Sequence, residues 1–536
     1  MTFKQTFVFS LVIVLSSCAS QGDKEEDEQL AEKALASFDL YEGLQIELIA
    51  SEPLVADPVA MEVDELGRTY VLEMHGYPLD LSGSGVIKQL LDTDADGRFD
   101  KALVFADGLK LPTGLMRWKN GLIVVDVPDV LYLEDTNGDG KADKREVLLT
   151  GFAVTNPQHI ANTPAYGLDN WIYVAHQGMV TPKVSVKEFS DEGSEVRFPA
   201  NSNAPKLPID ANGRNVRFMP DSFQLEMLSG ESQYGQTFDD WGHHFGTSNA
   251  DHLFTEVIPA RYLARNPNLV VADAMENIPD HGSAAEIFPI TQNPAHQLLT
   301  DVGVITSSCG VTWYQAGLIK GFENVTFVAE PVHNLVHADR VIAKGASFSA
   351  SRLVENKEFL ASTDAWFRPV QFYVGPDGAL YMIDYYRQIV EHPEWMSEEV
   401  NNSGALYNGS NQGRIYRISP KGTAPMNWVG SIDIPAMSSD EIVALLGSDN
   451  IWWRRNVQRQ IAANEALVPN DVLIDYVAST ERAVGFLHGL WTLEGRGQLT
   501  AELIERGLRH KAAGVRENAI RLAEIHLTAW PTLAKT

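Results

Sequence analysis

The chain has 536 residues, of which 44% are hydrophobic, and a formal net charge of −29 at pH 7. Its length exceeds one ordinary hydrophobic core, so the sequence predicts two domains. The strong negative charge argues against nucleic acid as a partner and against binding to an anionic membrane surface.

The N-terminal residues are typical of an exported protein. Lys4 precedes an apolar run over residues 7–15, which is too short to span a bilayer and suits an export signal. The run ends in Leu15-Ser-Ser-Cys18, which resembles the bacterial lipobox, although an ordinary secretory signal is the alternative. We expect a signal over residues 1–18, a lipid anchor on Cys18 as the sole membrane contact, and an acidic tether over residues 19–37. By analogy with lipoprotein sorting, Ala19 favours the outer membrane.

A hairpin pattern recurs along the next part of the chain. Pro376-Asp-Gly378 is a tight turn between two runs of β-branched and aromatic residues, 370–374 and 379–383. Comparable turn positions follow one another at intervals of 49 to 82 residues. They are Gly67, Gly121, Asn170, Gly242, Asn324 and Gly378. Small sheets repeated in this way indicate propeller blades, so we expect a mainly β fold with a six-bladed β-propeller over residues 38–425.

From about Ser438 the hydrophobic period becomes that of α-helices. Helices are predicted over residues 439–446, 452–463, 471–478, 482–493, 501–508 and 515–527. Arg454, Asn456 and Arg459 recur 62 residues later as Arg516, Asn518 and Arg521. This internal similarity predicts a short HEAT-like helical solenoid over residues 436–536.

Two acidic loops in the β-rich part fit the spacing of calcium loops. Their candidate ligands are Asp92, Asp94, Asp96 and Asp100 in the first loop, and Asp135, Asn137, Asp139, Asp143 and Glu146 in the second. Alternating oxygen donors with a glycine at the sharp turn suit calcium. Leu103 stands where Glu146 stands in the second loop, so the first loop lacks one ligand. The alternative is that both loops are plain turns held by Asx hydrogen bonds.

The ends of the hairpin strands predict a functional site. The start of each first strand and the end of each second strand meet at one mouth of a propeller channel. The side chains placed there are Asp57, Glu73 and His75; Thr113, Asp126 and Asp129; His159 and His176; Gln233, Asn249 and His252; Cys309, Glu330, His333 and Asn334; and Arg368, Asp384 and Arg387. Histidines, acids and arginines that converge suit acid–base chemistry on a polar substrate. The alternative is that these groups only fill a hydrated channel.

Several segments resemble a known family. They are 233–245, 261–267, 329–337, 359–369 and 390–395, and they are similar to the membrane-bound dehydrogenase-type domain abundant in planctomycetes and verrucomicrobia. The resemblance covers about residues 40–420, and the helical tail resembles the HEAT region that follows in that family. Many members end in a cytochrome c domain. Because this chain has no Cys-x-x-Cys-His segment, no covalent haem is expected, and the resemblance implies a separate cytochrome or other electron acceptor.

The domain is similar, more distantly, to sorbosone and soluble glucose dehydrogenases, six-bladed propellers that hold pyrroloquinoline quinone at the channel mouth. This resemblance implies His159 as the proton acceptor, Arg368 as a quinone contact and pyrroloquinoline quinone as a candidate cofactor. Ser232-Gln233 stands where that family has an Arg-Asn pair, and the segment 330–334 replaces its quinone-binding lysine.

We therefore expect an oxidoreductase that acts on a sugar or polyol. The catalytic candidates are His159, Arg368, His333 and Glu330, and the cofactor-binding candidates are Gln233, Asn334, Arg387 and Asp384. Two other functions stay open. The channel mouth of a non-redox enzyme or carbohydrate-binding module would use the same residues, and an interaction scaffold would use the helical surface.

Overall fold

A computed structural model of the chain describes residues 29–178, 189, 191–291 and 302–535. Cys18, the apolar run before it and the first part of the acidic tether lie outside these residues, so the export signal and the lipid anchor stay predictions. Within the described ranges, no helix is both long and apolar enough to cross a membrane. A helical segment over residues 29–35 leads into two strands, β1 (Phe38–Leu40) and β2 (Leu44–Ala50).

The following strands form four-stranded antiparallel sheets in chain order. Blade one consists of β3 (Pro58–Val63), β4 (Thr69–Glu73), β5 (Gly85–Leu91) and β6 (Lys101–Leu109). Blade two consists of β7 (Pro112–Trp118), β8 (Gly121–Asp126), β9 (Asp129–Glu134) and β10 (Lys144–Thr150). Blade three consists of β11 (Asn162–Tyr166), β12 (Ile172–Ala175), β13 (Val216–Met219) and β14 (Gln224–Met227). Blade four consists of β15 (Gln236–Phe238), β16 (His244–Gly246), β17 (Phe254–Glu256) and β18 (Met275–Asn277).

The last two blades also take strands from the N-terminus. Blade five consists of β19 (Cys309–Trp313), β20 (Val325–Glu330), β21 (Leu335–Lys344), β22 (Ser347–Arg352) and β23 (Leu360–Ser362), with β1 paired to β23. Blade six consists of β24 (Pro369–Val374), β25 (Leu380–Asp384) and β26 (Arg414–Pro420), with β2 as its outermost strand. Because Leu44 lies opposite Pro420 in this pairing, the N-terminal strand completes the final blade.

The six sheets close into a ring. The innermost strands β3, β7, β11, β15, β19 and β24 contact one another in that order, and β24 returns to β3. This arrangement is a six-bladed β-propeller, which confirms the predicted fold class. The helical region follows the last blade.

The innermost pair of every blade is the predicted hairpin. The residues at five of the six predicted turn positions adopt the left-handed backbone that the turn needs, with φ between +62° and +80°. These residues are Gly67, Asn170, Gly242, Asn324 and Gly378. Blade two differs, since Lys119 takes the positive φ of +49° and Gly121 begins β8. A Cβ at Gly121 would lie 2.2 Å from the carbonyl oxygen of Leu133, so close packing requires glycine there.

The helices agree with the predicted bounds to within two residues. Among the described residues of the propeller, short helices are α1 (Ala260–Leu263) and α2 (Glu398–Ser403). The C-terminal helices are α3 (Ser439–Ala444), α4 (Ile451–Ala463), α5 (Asn470–Ser479), α6 (Ala483–Gly495), α7 (Ala501–Leu508) and α8 (Ala513–His526). The helix α3 begins at a capping box formed by Ser438 and Glu441.

The predicted internal repeat makes the same contacts twice. Arg454 and Arg516 each donate through Nη1 to the carbonyls five and six residues before them. Asn456 and Asn518 each donate through Nδ2 to the carbonyl four residues before them, over 2.9 Å. The helices α4 and α8 are therefore equivalent units, while their assignment to the HEAT class stays a prediction.

The helical region covers the turn end of the propeller. Its side chains donate to backbone carbonyls at the hairpin turns of four blades. These bonds run from Asn450 to Gly375 and Pro376, from Gln458 to Leu168, from Asn518 to Trp241 and from Trp452 to Val63. One apolar core joins the first three blades to the helices. The channel is thus covered at its turn end, and the strand ends that were predicted to carry the site lie at the other end.

Candidate functional site

A cavity of about 310 Å³ lies at the strand-end mouth of the channel. Its volume is at the lower end of the range for small-molecule sites, which is about 300–1,000 Å³. The lining residues come from the segments just before the first strand or just after the second strand of several blades. The cavity therefore occupies the place that the hairpin pattern predicted.

Aromatic side chains form much of the cavity wall. Tyr385 donates its phenolic hydrogen to the carbonyl of Met74 over 2.9 Å, and its ring meets the edge of Tyr77 at 5.9 Å between centroids. Tyr77 accepts a hydrogen bond of 3.1 Å from Gln158 Nε2. Burial raises the pKa of both phenols well above the usual value. This part of the wall is therefore uncharged, with aromatic faces and hydroxyl groups fixed by hydrogen bonds.

A pair of amides faces the same space. Gln233 Nε2 donates to Asn249 Oδ1 over 2.8 Å, and the backbone N–H of Asn249 donates to Gln233 Oε1 over 2.9 Å. These reciprocal bonds fix both amide planes at the cavity. Of the predicted cofactor-binding residues, Gln233 is the one whose side chain lines it.

Among the described residues, Glu391 is the carboxylate that lines the cavity, and no described lysine or arginine lines it. Cys309 also lines the cavity, but burial, helped by the charge of Glu330, raises the pKa of its thiol far above the usual value. A thiol held in this state is a poor nucleophile. Glu391 is therefore the best-placed acid–base group.

Glu330 and His333 lie behind the wall. Ser307, which lines the cavity, donates to Glu330 Oε1 over 2.6 Å, and the same oxygen lies 2.9 Å from His333 Nδ1. The backbone N–H of Gly303 donates to His333 Nε2 over 3.2 Å, so the proton of this imidazole is on Nδ1. Both predicted catalytic residues are about 1% exposed, and Glu330 meets the cavity wall through Thr306 and Ser307.

Arg368 is sealed beneath the cavity. Its guanidinium donates to the carbonyls of Pro331, Val332, Arg387 and Gln388. The side chain is 1% exposed, and burial lowers its pKa to about 10. The guanidinium therefore holds the loops that surround the mouth, and the geometry does not bring it to a ligand.

The remaining cofactor candidates are also buried. Arg387 pairs with Asp57, and Asn334, at φ +56°, donates through Nδ2 to the carbonyl of Phe367 over 2.7 Å. Asp384 Oδ1 accepts a bond of 2.7 Å from the backbone N–H of Arg368. Burial raises the pKa of Asp384 to about 7. These groups fix the strand ends and do not line the cavity.

His159 lies next to the wall without forming it. Its neighbours Pro157 and Gln158 line the cavity, whereas its own side chain is buried, with Nδ1 2.7 Å from Gln177 Oε1. Burial lowers the pKa of His159. The structure thus places His159 and Arg368 at the same end of the channel but brings neither into the cavity, so the predicted pairing of the two across open space is not formed.

The two acidic loops are held by equivalent hydrogen bonds: the backbone N–H of Gly97 donates to Asp92 as that of Gly140 does to Asp135. In the first loop, ligand oxygens of Asp92, Asp94 and Asp96 lie within 4.8 Å of one another. In the second loop, Asp135 accepts backbone hydrogen bonds from Gly138 and Gly140, as the Asx-turn alternative proposed. The other predicted ligands make different contacts. Asp100 and Asp143 accept hydrogen bonds from Thr93 and Thr136, and Asn137 and Asp139 accept hydrogen bonds from backbone N–H groups. Glu146 lies in β10, 4.0 Å from Lys144. Calcium binding stays a prediction.

The described lining does not suit pyrroloquinoline quinone. That quinone carries three carboxylates, and burying them requires cationic partners. The cavity offers Glu391 and no described lysine or arginine, and Arg368, which lies behind the lining residues Pro331 and Val332, donates to backbone carbonyls. The residues of the wall therefore support no chemical step through this quinone.

The hairpin pattern missed the loop after β25. Val390, Glu391 and Trp395 line the cavity, and Trp395 is 40% exposed. The sequence signal for this part of the site was an acid and a tryptophan on either side of Pro393, in the loop after the last inner hairpin. Strand ends alone could not reveal it, because this loop folds back over the mouth.

The comparisons with known proteins place the propeller in a family but not in a functional class. A family model described as "Domain of unknown function (DUF7133)" matches residues 30–422. No curated protein matches the chain.

Several solved structures are similar in part. A glucose dehydrogenase-type oxidoreductase from Thermus thermophilus shares 14% identity at a TM-score of 0.39, over 70% of this chain and 100% of its own. The aldose sugar dehydrogenase of Escherichia coli shares 10% identity at a TM-score of 0.39, and the match covers 70% of this chain and 100% of the dehydrogenase. A Trichoderma reesei enzyme of carbohydrate-active family AA12 shares 13% identity at a TM-score of 0.40, and the match covers 72% of this chain and 97% of that enzyme. Similarity this low does not establish a shared activity, which has to be argued from the residues of this chain.

Proposed function

The chain belongs to the family of the domain of unknown function DUF7133, and from that premise we propose that it is an oxidoreductase whose cavity takes an uncharged sugar or polyol. The substrate class rests on one observation, the composition of the cavity wall. The redox class rests on the resemblance of the sequence to a dehydrogenase-type family.

The wall matches the chemistry of a neutral polyhydroxylated ligand. The faces of Tyr77, Tyr385 and Trp395 offer apolar contact for C–H groups, while Gln233 and Asn249 offer fixed donors and acceptors for hydroxyl groups. An anionic ligand would meet Glu391 and no described cationic side chain. The charge of the wall thus favours neutral ligands over uronates and sugar phosphates.

Glu391 is the proposed proton acceptor. Oxidation of a hydroxyl to a carbonyl releases two protons and two electrons. A carboxylate at the wall can take the hydroxyl proton, which is general-base catalysis. The C–H bond breaks and gives up the two electrons and the second proton. A two-electron redox dye takes them together, or two one-electron cytochromes take the electrons and solvent takes the proton.

A second candidate function is a non-redox propeller that binds or modifies carbohydrate. The same wall supports it, and it is favoured by the lack of cationic lining for an anionic quinone among the described residues. A scaffold role for the helices is less favoured, because the described contacts commit α4 and α8 to the propeller turns.

The test uses the full-length protein and two readouts on one ligand panel. Thermal shift measures binding of neutral sugars and polyols against matched uronates and sugar phosphates, and reduction of an electron-accepting dye measures turnover. We expect a neutral compound to raise the melting temperature and to reduce the dye, with no stimulation by added pyrroloquinoline quinone. Binding without dye reduction would establish the second candidate, and binding of acids alone would refute both.

We propose further that Cys18 anchors the protein to the outer membrane after export. The support is the order of apolar run, small residues and cysteine in residues 7–18. Cys18→Ser should move the protein out of the membrane fraction or leave the signal uncleaved. Wild-type fractionation and processing of the variant would refute the anchor.

A further inference from the structure

A second group of polar side chains lies between blades four and five, and none of its members lines the cavity. His252 lies in the loop between β16 and β17, and His281 follows β18. His337 and Asp339 lie on β21, two residues apart and so on the same side of the strand. Each of the four side chains offers one metal-binding atom, and these atoms lie within 4.8 Å of one another.

The group is largely buried and incompletely bonded. His252, His337 and Asp339 are at most 2% exposed, and the side chain of His281 is 13% exposed. His281 Nε2, His337 Nε2 and Asp339 Oδ1 have no hydrogen-bond partner among the described residues. Buried polar atoms in folded proteins are normally paired. His281 Nε2 and His337 Nε2 both approach Asp339 Oδ1, at 3.7 and 3.4 Å, and these three atoms therefore indicate a partner that the described residues do not supply.

The distances fit ligands arranged around one ion. His337 Nε2 and His281 Nε2 lie 3.4 and 3.7 Å from Asp339 Oδ1, and His252 Nε2 lies 2.9 Å from the other oxygen, Oδ2. Bonds of roughly 2.0–2.1 Å to a tetrahedral ion would place two ligands about 3.3–3.4 Å apart. The two spacings to Asp339 Oδ1 lie close to that value and all four metal-binding atoms lie within 4.8 Å of one another, so small side-chain shifts would complete the polyhedron.

The outer nitrogens of two imidazoles are held by carboxylates. His337 Nδ1 lies 2.7 Å from Glu358 Oε2, and the other oxygen of Glu358 accepts the backbone N–H of Phe288 over 3.1 Å. His281 Nδ1 lies 3.1 Å from Asp280 Oδ1. Carboxylates behind histidines fix the ring orientation and tautomer of metal ligands. In both residues the nitrogen left over is the Nε2 that faces Asp339.

We propose that His252, His281, His337 and Asp339 bind a divalent transition-metal ion, and that zinc is the ion this donor set fits best. Imidazole nitrogens favour ions of the zinc group, whereas calcium and magnesium require oxygen ligands. With four protein ligands, the site is structural, and it ties the loops of blade four to the central strand β21 of blade five.

The test uses full-length protein purified through a tag that binds no metal. Elemental analysis should find roughly one zinc per chain. After removal of the ion with a chelator, cobalt(II) should produce the visible absorption of a four-coordinate site, and zinc should raise the melting temperature. His281→Ala, at the most exposed ligand, should weaken binding at least tenfold, and Glu358→Gln should weaken it roughly 10–100-fold.

The matched control is His243→Ala. His243 also lies between two carboxylates, those of Asp239 and Glu517, but outside the group, so this variant should keep the ion. If His281→Ala does not fold, X-ray absorption of the wild-type ion decides, because imidazole scattering distinguishes histidine ligands from oxygen ligands. Less than a tenth of an equivalent of metal with no cobalt absorption, binding unaffected by His281→Ala, or oxygen-only coordination would each overturn the proposal and leave an ion-pair network only.

Discussion

Arg387 donates two hydrogen bonds to the carboxylate of Asp57, Nε to Oδ1 over 2.8 Å and Nη2 to Oδ2 over 2.7 Å, across 330 residues of chain. Both side chains are inaccessible to solvent. Asp57 precedes the first strand of blade one, and Arg387 follows the second strand of blade six. The pair therefore bridges the first and last blades at the mouth of the channel.

Arg387→Gln should destabilise the fold strongly, because it removes the buried cation of Asp57 and leaves that carboxylate with only the partly exposed imidazolium of His75. Breaking a buried ion pair in this way costs about 3–5 kcal/mol. Urea unfolding followed by fluorescence measures the change. The control is Arg509→Gln, at an exposed pair with Glu505 that is worth at most about 1 kcal/mol. Equal effects of the two variants would show that the Asp57–Arg387 pair does not hold the first and last blades together.

Glu391→Gln should abolish most of the turnover and spare binding, because it removes the proposed proton acceptor and keeps the size of the side chain. Loss of a positioned base typically slows a reaction roughly 10²–10⁴-fold. The measurement compares dye reduction with the ligand dissociation constant for the same sugar. Glu398→Gln, at an exposed position in the nearby helix α2, should leave both unchanged. Full turnover of Glu391→Gln would exclude Glu391 as the base.

Trp395→Ala should weaken sugar binding about tenfold, which corresponds to ~1.4 kcal/mol, with little change in melting temperature. Its ring lines the cavity and is 40% exposed, so it contributes contact area to the ligand and little to the core. Isothermal titration measures the affinity. Tyr407→Ala, at an aromatic residue that is 52% exposed away from the cavity, should bind as the wild type does. An equal loss in both variants would argue against stacking on Trp395.

The stability of the protein should fall as pH rises from about 6.5 to 9 because of His75. Hydrogen bonds with Asp57 and Glu73 raise the pKa of this imidazole to about 9. Because the pKa of His75 is higher in the folded state than its unfolded value of about 6.5, protonation of His75 stabilises the folded state. This stabilisation is complete below pH 6.5 and is lost as the pH rises through 9. Its partial exposure limits the effect to something on the order of 1–2 kcal/mol.

Melting temperatures of wild type and His75→Gln across pH 6–9.5 test this assignment. The difference between the two proteins should shrink as pH rises through that range, because only the wild type has an imidazolium to lose. A difference independent of pH would mean that His75 contributes packing alone.

The propeller could be predicted because its hairpins are local. A turn residue such as Gly378 and the β-branched runs beside it are adjacent in sequence, so each blade carries its own signal. The helices were predicted for the same reason, and the shared contacts of Asn456 and Asn518 explain the repeat. Blade two shows the limit, since Gly121 is required by the approach of Leu133 from a neighbouring strand.

The site was predicted less well because burial is not local. Strand ends indicate the end of the channel at which the cavity lies, and Gln233 lines the cavity, but His159, Arg368 and Glu330 are buried beside it. The loop that carries Glu391 has no hydrophobic periodicity from which its path could be predicted. The metal-binding group was missed for a related reason, since His252 and Asp339 come from different blades and form no motif along the chain.

The position of β2 has a consequence for the order of events during folding. Blade six lacks its outer strand until residues 44–50 pair with residues 414–420. The N-terminus leaves the ribosome, or crosses a membrane, first. The strand β2 therefore stays unpaired while all six inner hairpins form. Such distant pairing makes ring closure a late and slow step. The exposed edge of β26 would need protection in that interval, which would make a chaperone most useful just before closure.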